Sequence, residues 1–178
     1  RARFQGEVTE ARLADRDVLI LEPLTYMNES GRSVGACARF LKIPLGDIIV
    51  FHDELDLLQG KVRLKQGGGA AGHNGLRSLD AHLGDGYWRV RLGIGHPGDK
   101  ERVLGHVLGD FAKADRLWLE PLLAAVAEFA PLLVAGDGPA FLNKVTLALT
   151  PPRPPKPASP KATTGDVAGA PPAGPAAE

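Results

Sequence analysis

Ile48, Ile49, Val50 and Phe51 form an unbroken apolar run, and His52-Asp53-Glu54-Leu55-Asp56 follows it with no spacer. No other stretch narrows the possible folds so far. A short apolar run bounded by polar residues reads as a strand buried on both faces, which requires helices on either side of a sheet. The rest of the chain alternates accordingly. Residues 4–9 and 17–22 predict the two arms of a hairpin. Ser30 is placed to cap a helix running to about Lys42, with Val34, Cys37, Ala38 and Leu41 on one face, and Pro44 and Gly46 stop it. Residues 61–65 alternate strictly, Val62 and Leu64 facing one way and Lys61, Arg63 and Lys65 the other. Residues 87–95 repeat the pattern, with Trp88, Val90, Leu92 and Ile94 opposite Arg89 and Arg91. A long helix is expected over 114–135, interrupted by Pro121 and Pro131 and closed by Gly136. A short last helix follows, with Asp137 as its cap and Pro139 in its first turn. No internal repeat is present. The expected class is α/β: a single-domain three-layer sandwich, its mixed central β-sheet flanked by helices and including the opening hairpin.

Composition sets the boundary of that domain near residue 150. From residue 151 to 178 the chain holds nine of its fifteen prolines and seven alanines, with Val167 as the only larger aliphatic. Such a segment buries too little apolar surface to offset its ordering entropy, so a disordered tail is expected. The 21 Lys and Arg balance 21 Asp and Glu. That balance excludes a histone-like polycation and an acidic solvating tail, but not a local basic face. A lone Cys37 excludes an intrachain disulfide framework and favours a reducing, cytoplasmic setting. No apolar run approaches the roughly 18 residues of a membrane span.

Chemistry has three places to sit. The first is Thr25-Tyr26-Met27-Asn28-Glu29-Ser30-Gly31, between a strand and a helix, where α/β sheets hold ligands because helix amides point into the crevice. Asn28 can read a peptide group there, or Asn28 and Ser30 simply cap the helix. The second is the cluster at 52–56. Polar groups at the carboxyl end of an apolar strand are costly unless paired or facing a cleft. A metal site is one reading, but His52 and Asp53 point to opposite faces of a continuing strand. An Asp that orients a histidine is sharper, and a solvated turn remains open beside it. The third is Gly67-Gly68-Gly69-Ala70-Ala71-Gly72-His73-Asn74-Gly75, ahead of a helix carrying Leu76, Leu79 and Leu83. It lacks the Gly-Lys-Ser/Thr of a P-loop and the dinucleotide fingerprint. Asn74, at the helix start, can cap it or contact substrate. Lys61, Arg63 and Lys65 on one strand, with Arg89 and Arg91 on another, would make a phosphate-binding face if the two adjoin.

Together these motifs resemble the bacterial peptidyl-tRNA hydrolase family. The matching stretches are residues 25–31, His52-Asp53-Glu54-Leu55-Asp56, Gly72-His73-Asn74-Gly75-Leu76, and residues 89–98. They occur in the family's order over about residues 3 to 148. The resemblance implies a compact α/β monomer, cytoplasmic, with no metal and no cofactor. Such an enzyme hydrolyses the ester joining a peptide to the 3′ ribose of tRNA, and needs no membrane and no obligatory protein partner. It implies that Asp53 holds the catalytic histidine and that Asn28 and Asn74 position the peptide, the attacking water or the oxyanion. Tyr26 would line the peptide or tRNA-end groove. Lys65 and Arg91 would grip tRNA phosphate with Arg63 in support, and residues 100–120 would form a mobile lid.

The chain departs from the family pattern in places. The family's first apolar strand, its Gly-Asn-Pro-Gly turn and the stretch holding the catalytic histidine have no match here. Ala70 and Ala71 stand in a loop that is commonly richer in glycine, and Leu58 replaces a frequent proline. The chain begins at Arg1 and its only Met is Met27, so the expectation is a truncated member, with Asp53 orienting a histidine not present in this chain. Two other classes stay open. One is a non-catalytic RNA-binding relative that keeps the basic face. The other is a metal- or nucleotide-dependent α/β hydrolase, disfavoured by the missing Lys-Ser/Thr.

Overall fold

Two tight reversals shape the start of the chain. Phe4 and Gln5 (both φ 56°) turn β1 (Ala2–Arg3) back onto β2 (Gly6–Leu13). Ala14 and Asp15 (φ 49° and 58°) turn β2 onto β3 (Arg16–Pro23). Positive φ at both central residues is the two-residue hairpin geometry whose twist suits antiparallel strands, reached here without glycine. The first arm therefore begins at Gly6 rather than at Phe4. Phe4 leaves the sheet, and its ring packs 5.6 Å from Phe40 while the Arg3 guanidinium lies 4.5 Å from both rings.

These coordinates are a computed structural model that describes residues 1–150; the tail expected beyond them lies outside the described residues. Five α-helices and a second sheet complete it. Helix α1 (Ser30–Leu41) leads to β4 (Ile49–Glu54) and β5 (Val62–Gln66). Helix α2 (Asn74–Leu83) precedes β6 (Trp88–Gly93), and α3 (Lys100–Leu108), α4 (Arg116–Val134) and α5 (Gly138–Leu149) follow. The second sheet has the order β4-β6-β5, with β4 and β6 parallel and β5 antiparallel to β6.

The expected single mixed sheet is thus two sheets: the hairpin pairs only within β1-β2-β3. Nothing among the described residues pairs with the outer edge of β4. This also corrects the reading of Ile48 to Phe51 as buried on both faces. As an edge strand β4 leaves Phe51 45% exposed, the liability of an open edge.

Helices cover both faces of the second sheet. On one, Val62, Val90, Leu122, Val126, Phe141 and Val145 form the main core between the strands, α4 and α5. On the other, Leu76, Leu79 and Tyr87 pack with Val34, Leu45 and Val50. Helix α4 runs unbroken through Pro121 and Pro131. By length and composition the helix over residues 113–134 could cross a membrane, its most apolar 18 residues having mean hydropathy 1.7, which corrects the expectation that no stretch approaches a span. Here Leu122, Ala125, Val126 and Leu133 are buried against the sheet and α5. The last helix keeps its expected start, Asp137 Oδ1 accepting from the Ala140 N–H at 3.0 Å.

Candidate active site

Two close approaches bring the first and third motifs together. A Cβ on Gly31 would stand 2.1 Å from the Ser78 carbonyl oxygen, so only glycine lets α1 lie this close to α2. The Gly31 N–H donates to Ser78 Oγ at 3.0 Å. A Cβ on Gly75 would meet Met27 Sδ at 2.7 Å. Met27 belongs to the single 3-10 turn Met27–Glu29 that carries Asn28. The Asn28 turn therefore sits on the first turn of α2, which Asn74 begins. Both asparagine side chains are exposed and make no hydrogen bond to another side chain or the backbone among the described residues.

Neither expected cap is a cap. Ser30 is the first residue of α1, and its hydroxyl donates to the Met27 carbonyl at 2.9 Å. His73, not Asn74, caps α2: its Nδ1 accepts from the Leu76 N–H at 3.2 Å. An amide can only donate, so Nδ1 is bare and the ring proton is on Nε2. That Nε2–H donates to Asp53 Oδ1 at 3.1 Å. Asp53 accordingly meets a histidine of this chain, a partner the sequence reading did not give it. The bond from His73 holds the Asp53 carboxyl below its ordinary pKa, against partial burial.

His52 lies beside His73 as well. Its Nδ1–H donates to the Asp53 main-chain oxygen at 2.7 Å, not to the carboxylate, and its ring stands edge-on to His73 with centroids 5.3 Å apart. Among the described residues no three His, Cys, Asp or Glu side chains group as metal ligands.

The basic residues divide by depth. Register places Arg63 opposite Arg91 and Lys65 opposite Arg89, so the two basic strand faces do adjoin. Arg89, however, is 3% exposed, so it does not present its charge on the phosphate-binding face expected of the two strands. It donates to the Gly69 carbonyl at 2.8 Å and to Asp80 Oδ1 at 3.1 Å, and lies over the Tyr87 ring. The Tyr87 hydroxyl donates to the same Asp80 oxygen at 2.7 Å. This closed group ties the glycine-rich loop to the middle of α2. Nearer the mouth, Arg91 Nε donates to Glu54 Oε2 at 2.9 Å, leaving its two terminal nitrogens uncommitted among the described residues. Burial alone would raise the Glu54 pKa, but the Arg91 bond and the Asp56 N–H outweigh it and lower it. Lys65 is exposed and lies along Gly68, where a Cβ would meet its Nζ at 2.5 Å. Arg63 is also exposed.

Tyr26 is 82% exposed. It lines an open groove of about 800 Å³ with Arg3, Gly6, Leu24 and Glu29. That groove contains neither Asp53, His73 nor Asn74, and its size says less about chemistry than the paired groups do. Helix α3 buries no side chain and is tethered at the end of β6, where His106 Nε2 lies 3.1 and 3.0 Å from the Ile94 and Gly95 carbonyls.

Sequence reading missed the His73–Asp53 bond, the Glu54–Arg91 pair and the Arg89–Asp80–Tyr87 group. Part of the signal for the second was present in parity: Glu54 falls on the same side of β4 as His52, the side that register sets beside Arg91.

The family model described as peptidyl-tRNA hydrolase matches residues 1–152. A peptidyl-tRNA hydrolase of Agrobacterium fabrum is 60% identical over 82% of this chain and 61% of its own length. The enzyme of Methylobacterium nodulans is 62% identical over 84% and 73%, and that of Parvibaculum lavamentivorans 60% over 85% and 74%. The chain thus spans about three-fifths to three-quarters of these relatives. The crystal structure of peptidyl-tRNA hydrolase from Acinetobacter baumannii superimposes with a TM-score of 0.75 at 42% identity, over 80% of this chain and 72% of that one.

Proposed function

The chain belongs to the peptidyl-tRNA hydrolase family, and from that premise we propose that its site hydrolyses the ester between a peptide, or an N-blocked aminoacyl group, and the 3′ ribose of tRNA. Its role would be to recycle peptidyl-tRNA released during translation. The observation that carries this reading is Asp53. It is an ionised carboxylate at the end of β4, fixed by His73 through Oδ1, in the corner where the Asn28 turn meets the start of α2.

Such a carboxylate suits orienting an imidazole that takes a proton from water. None of the five histidines here suits that office. His73 has both nitrogens engaged, His52 is turned to the main chain, His82 to the Ser78 carbonyl, His96 to the Gly98 amide and His106 to α3's anchor. We assign the base to a histidine that residues 1–150 do not supply, held by the oxygen of Asp53 that His73 leaves unused. A general base contributes about 10²–10⁴-fold, and amide donors on the oxyanion, from Asn28 and Asn74, of order 10²–10³-fold. The ribose alkoxide leaves more readily than an amine, so activated water suffices without a metal or cofactor. Arg91, aimed by Glu54, and Lys65, resting on Gly68, take tRNA phosphates, with Arg63 beside them. Tyr26 lines the groove for the peptide or the tRNA end, and α3 serves as the lid.

The test mixes the chain with N-blocked aminoacyl-tRNA and scores tRNA retention and ester hydrolysis together, with and without free imidazole. The expected result is retention, plus hydrolysis that imidazole raises and Asp53→Asn lowers by about 10²-fold or more at equal retention. Hydrolysis indifferent to Asp53→Asn, or no retention of tRNA, overturns the reading.

A further inference from the structure

His52 is the most deeply placed imidazole beside Asp53, and the mechanism above leaves it idle. The residue is 8% exposed. Its Nδ1–H is committed to the Asp53 carbonyl, so Nε2 is a bare acceptor, and that nitrogen is buried without a partner among the described residues. A buried acceptor left unpaired is unfavourable, and an apolar ring of similar size would avoid the loss. The Nδ1 bond to the main chain offsets only part of that loss, because one such bond contributes less than an orphaned buried acceptor costs, so stability gives little reason for an imidazole here. Burial also pushes its protonation below the ordinary range, against the pull of the Asp53 main chain, so the ring stays uncharged at neutral pH.

What the ring does contact is His73, at 5.3 Å and 80° between planes, an edge-on arrangement that is attractive and directional. His73 is held at three points. The Leu76 amide fixes Nδ1, Asp53 Oδ1 fixes Nε2, and His52 holds the ring itself. We infer that His52 is a positioning residue of the ester-hydrolysing site: anchored to the main chain of Asp53 and packed edge-on against His73, it sets the angle at which His73 donates to the Asp53 carboxylate. It acts through that pair and touches no substrate. The inference rests on the reading of Asp53 given above.

The experiment compares the chain with His52→Asn and His52→Phe. Asparagine keeps a side-chain N–H for the Asp53 carbonyl but removes the ring; phenylalanine keeps a ring and removes the orphaned nitrogen. The first readout is the ¹⁵N spectrum of the His73 imidazole, which distinguishes a bare Nδ1 from a protonated one. The unsubstituted chain is expected to show one tautomer and His52→Asn a mixture. His52→Phe should keep most of the bias and melt no lower than the parent. Imidazole-supported hydrolysis should fall about tenfold in His52→Asn, the scale of one directional aromatic contact, at unchanged tRNA retention. An unchanged His73 tautomer in His52→Asn overturns the inference. So does hydrolysis that declines only in step with the folded fraction. Absence of tRNA retention by the unsubstituted chain defeats the ester-hydrolase reading instead, and the His73 spectra then still decide whether His52 holds that ring.

Discussion

The two faces of the β4-β6-β5 sheet are built from the same three strands and have opposite contents. One carries Val62, Leu64, Val90 and Leu92 against α4 and α5. The other carries His52, Glu54, Arg63, Lys65, Arg89 and Arg91, which register brings side by side. Along β5 and β6 a period of two thus sorts residues into packing and chemistry, whereas on β4 apolar Val50 shares the polar face and Asp53 is registered with Leu92. Within the polar face a second division runs along β6. Arg89 and Arg91 are two residues apart with the same orientation, yet Arg89 is enclosed beneath the glycine-rich loop while Arg91 lies at the mouth, 28% exposed. Residue type told them apart no better than parity did. Depth along the strand decides whether a cation holds the fold or faces a ligand.

The largest effects should come from the enclosed parts of both faces. Phe141 is fully buried in the apolar core. Phe141→Ala should cost about 3–5 kcal/mol, read from the urea midpoint, with tRNA retention per folded molecule unchanged. Arg89→Met should cost about 2 kcal/mol, because it leaves the partly buried Asp80 and the Gly69 carbonyl without the charged donor between them. Adding Asp80→Asn, which keeps an acceptor for the Tyr87 hydroxyl, should recover much of that loss. Neither variant should alter the salt dependence of tRNA binding. If Arg89→Met lowers that dependence, Arg89 reaches phosphate and the division by depth is wrong.

At the mouth the expectation reverses. Lys65→Ala should leave the stability read from urea unfolding within about 0.5 kcal/mol of the parent and reduce the slope of log K against log salt by about 1. Gly68→Ala sharpens the same point: the added Cβ would push Lys65 off its seat, and φ of 96° strains any side chain there. It should lower tRNA affinity less than Lys65→Ala does. A stability loss in Lys65→Ala with no change in salt slope would assign the lysine to the fold.

How much of this was legible in the sequence follows from range. Alternation at 61–65 and 88–93 is local, so the facing of Val62, Leu64, Arg63 and Lys65 was readable directly. The start of α5 was readable too, because Asp137 caps it from within the same turn. The split of the sheet was not. Strand patterns do not say which edges meet, and the Phe4-Gln5 reversal carries no glycine to announce it. The partner of Asp53 lies twenty residues away across the glycine-rich loop, and His73 was easily passed over beside Asn74. Burial of Arg89 depends on Asp80 and Tyr87 arriving from other elements, which no local period reveals.

The smallest expected effect separates the interior of the polar face from its mouth by pH. His52 has a folded-state pKa below its ordinary 6.5, chiefly because burial disfavours its charged form. Between those two values the unfolded chain binds more protons than the folded one, so stability rises with pH there and is lost as pH falls below about 6.5. Asp53, lowered first by the His73 bond, and Glu54, lowered by Arg91 against its own burial, act in a more acid window. Their stabilisation is present above the unfolded values near 4 and disappears as pH falls through the folded ones. Urea unfolding at pH 7.5, 6 and 5 should therefore show a decline in the parent that is shallower in His52→Asn, while both forms share the steeper loss below pH 4. Equal slopes from pH 7.5 to 5 would mean that His52 meets water in the folded chain, and that the face is open as deep as His52 rather than only at Arg91.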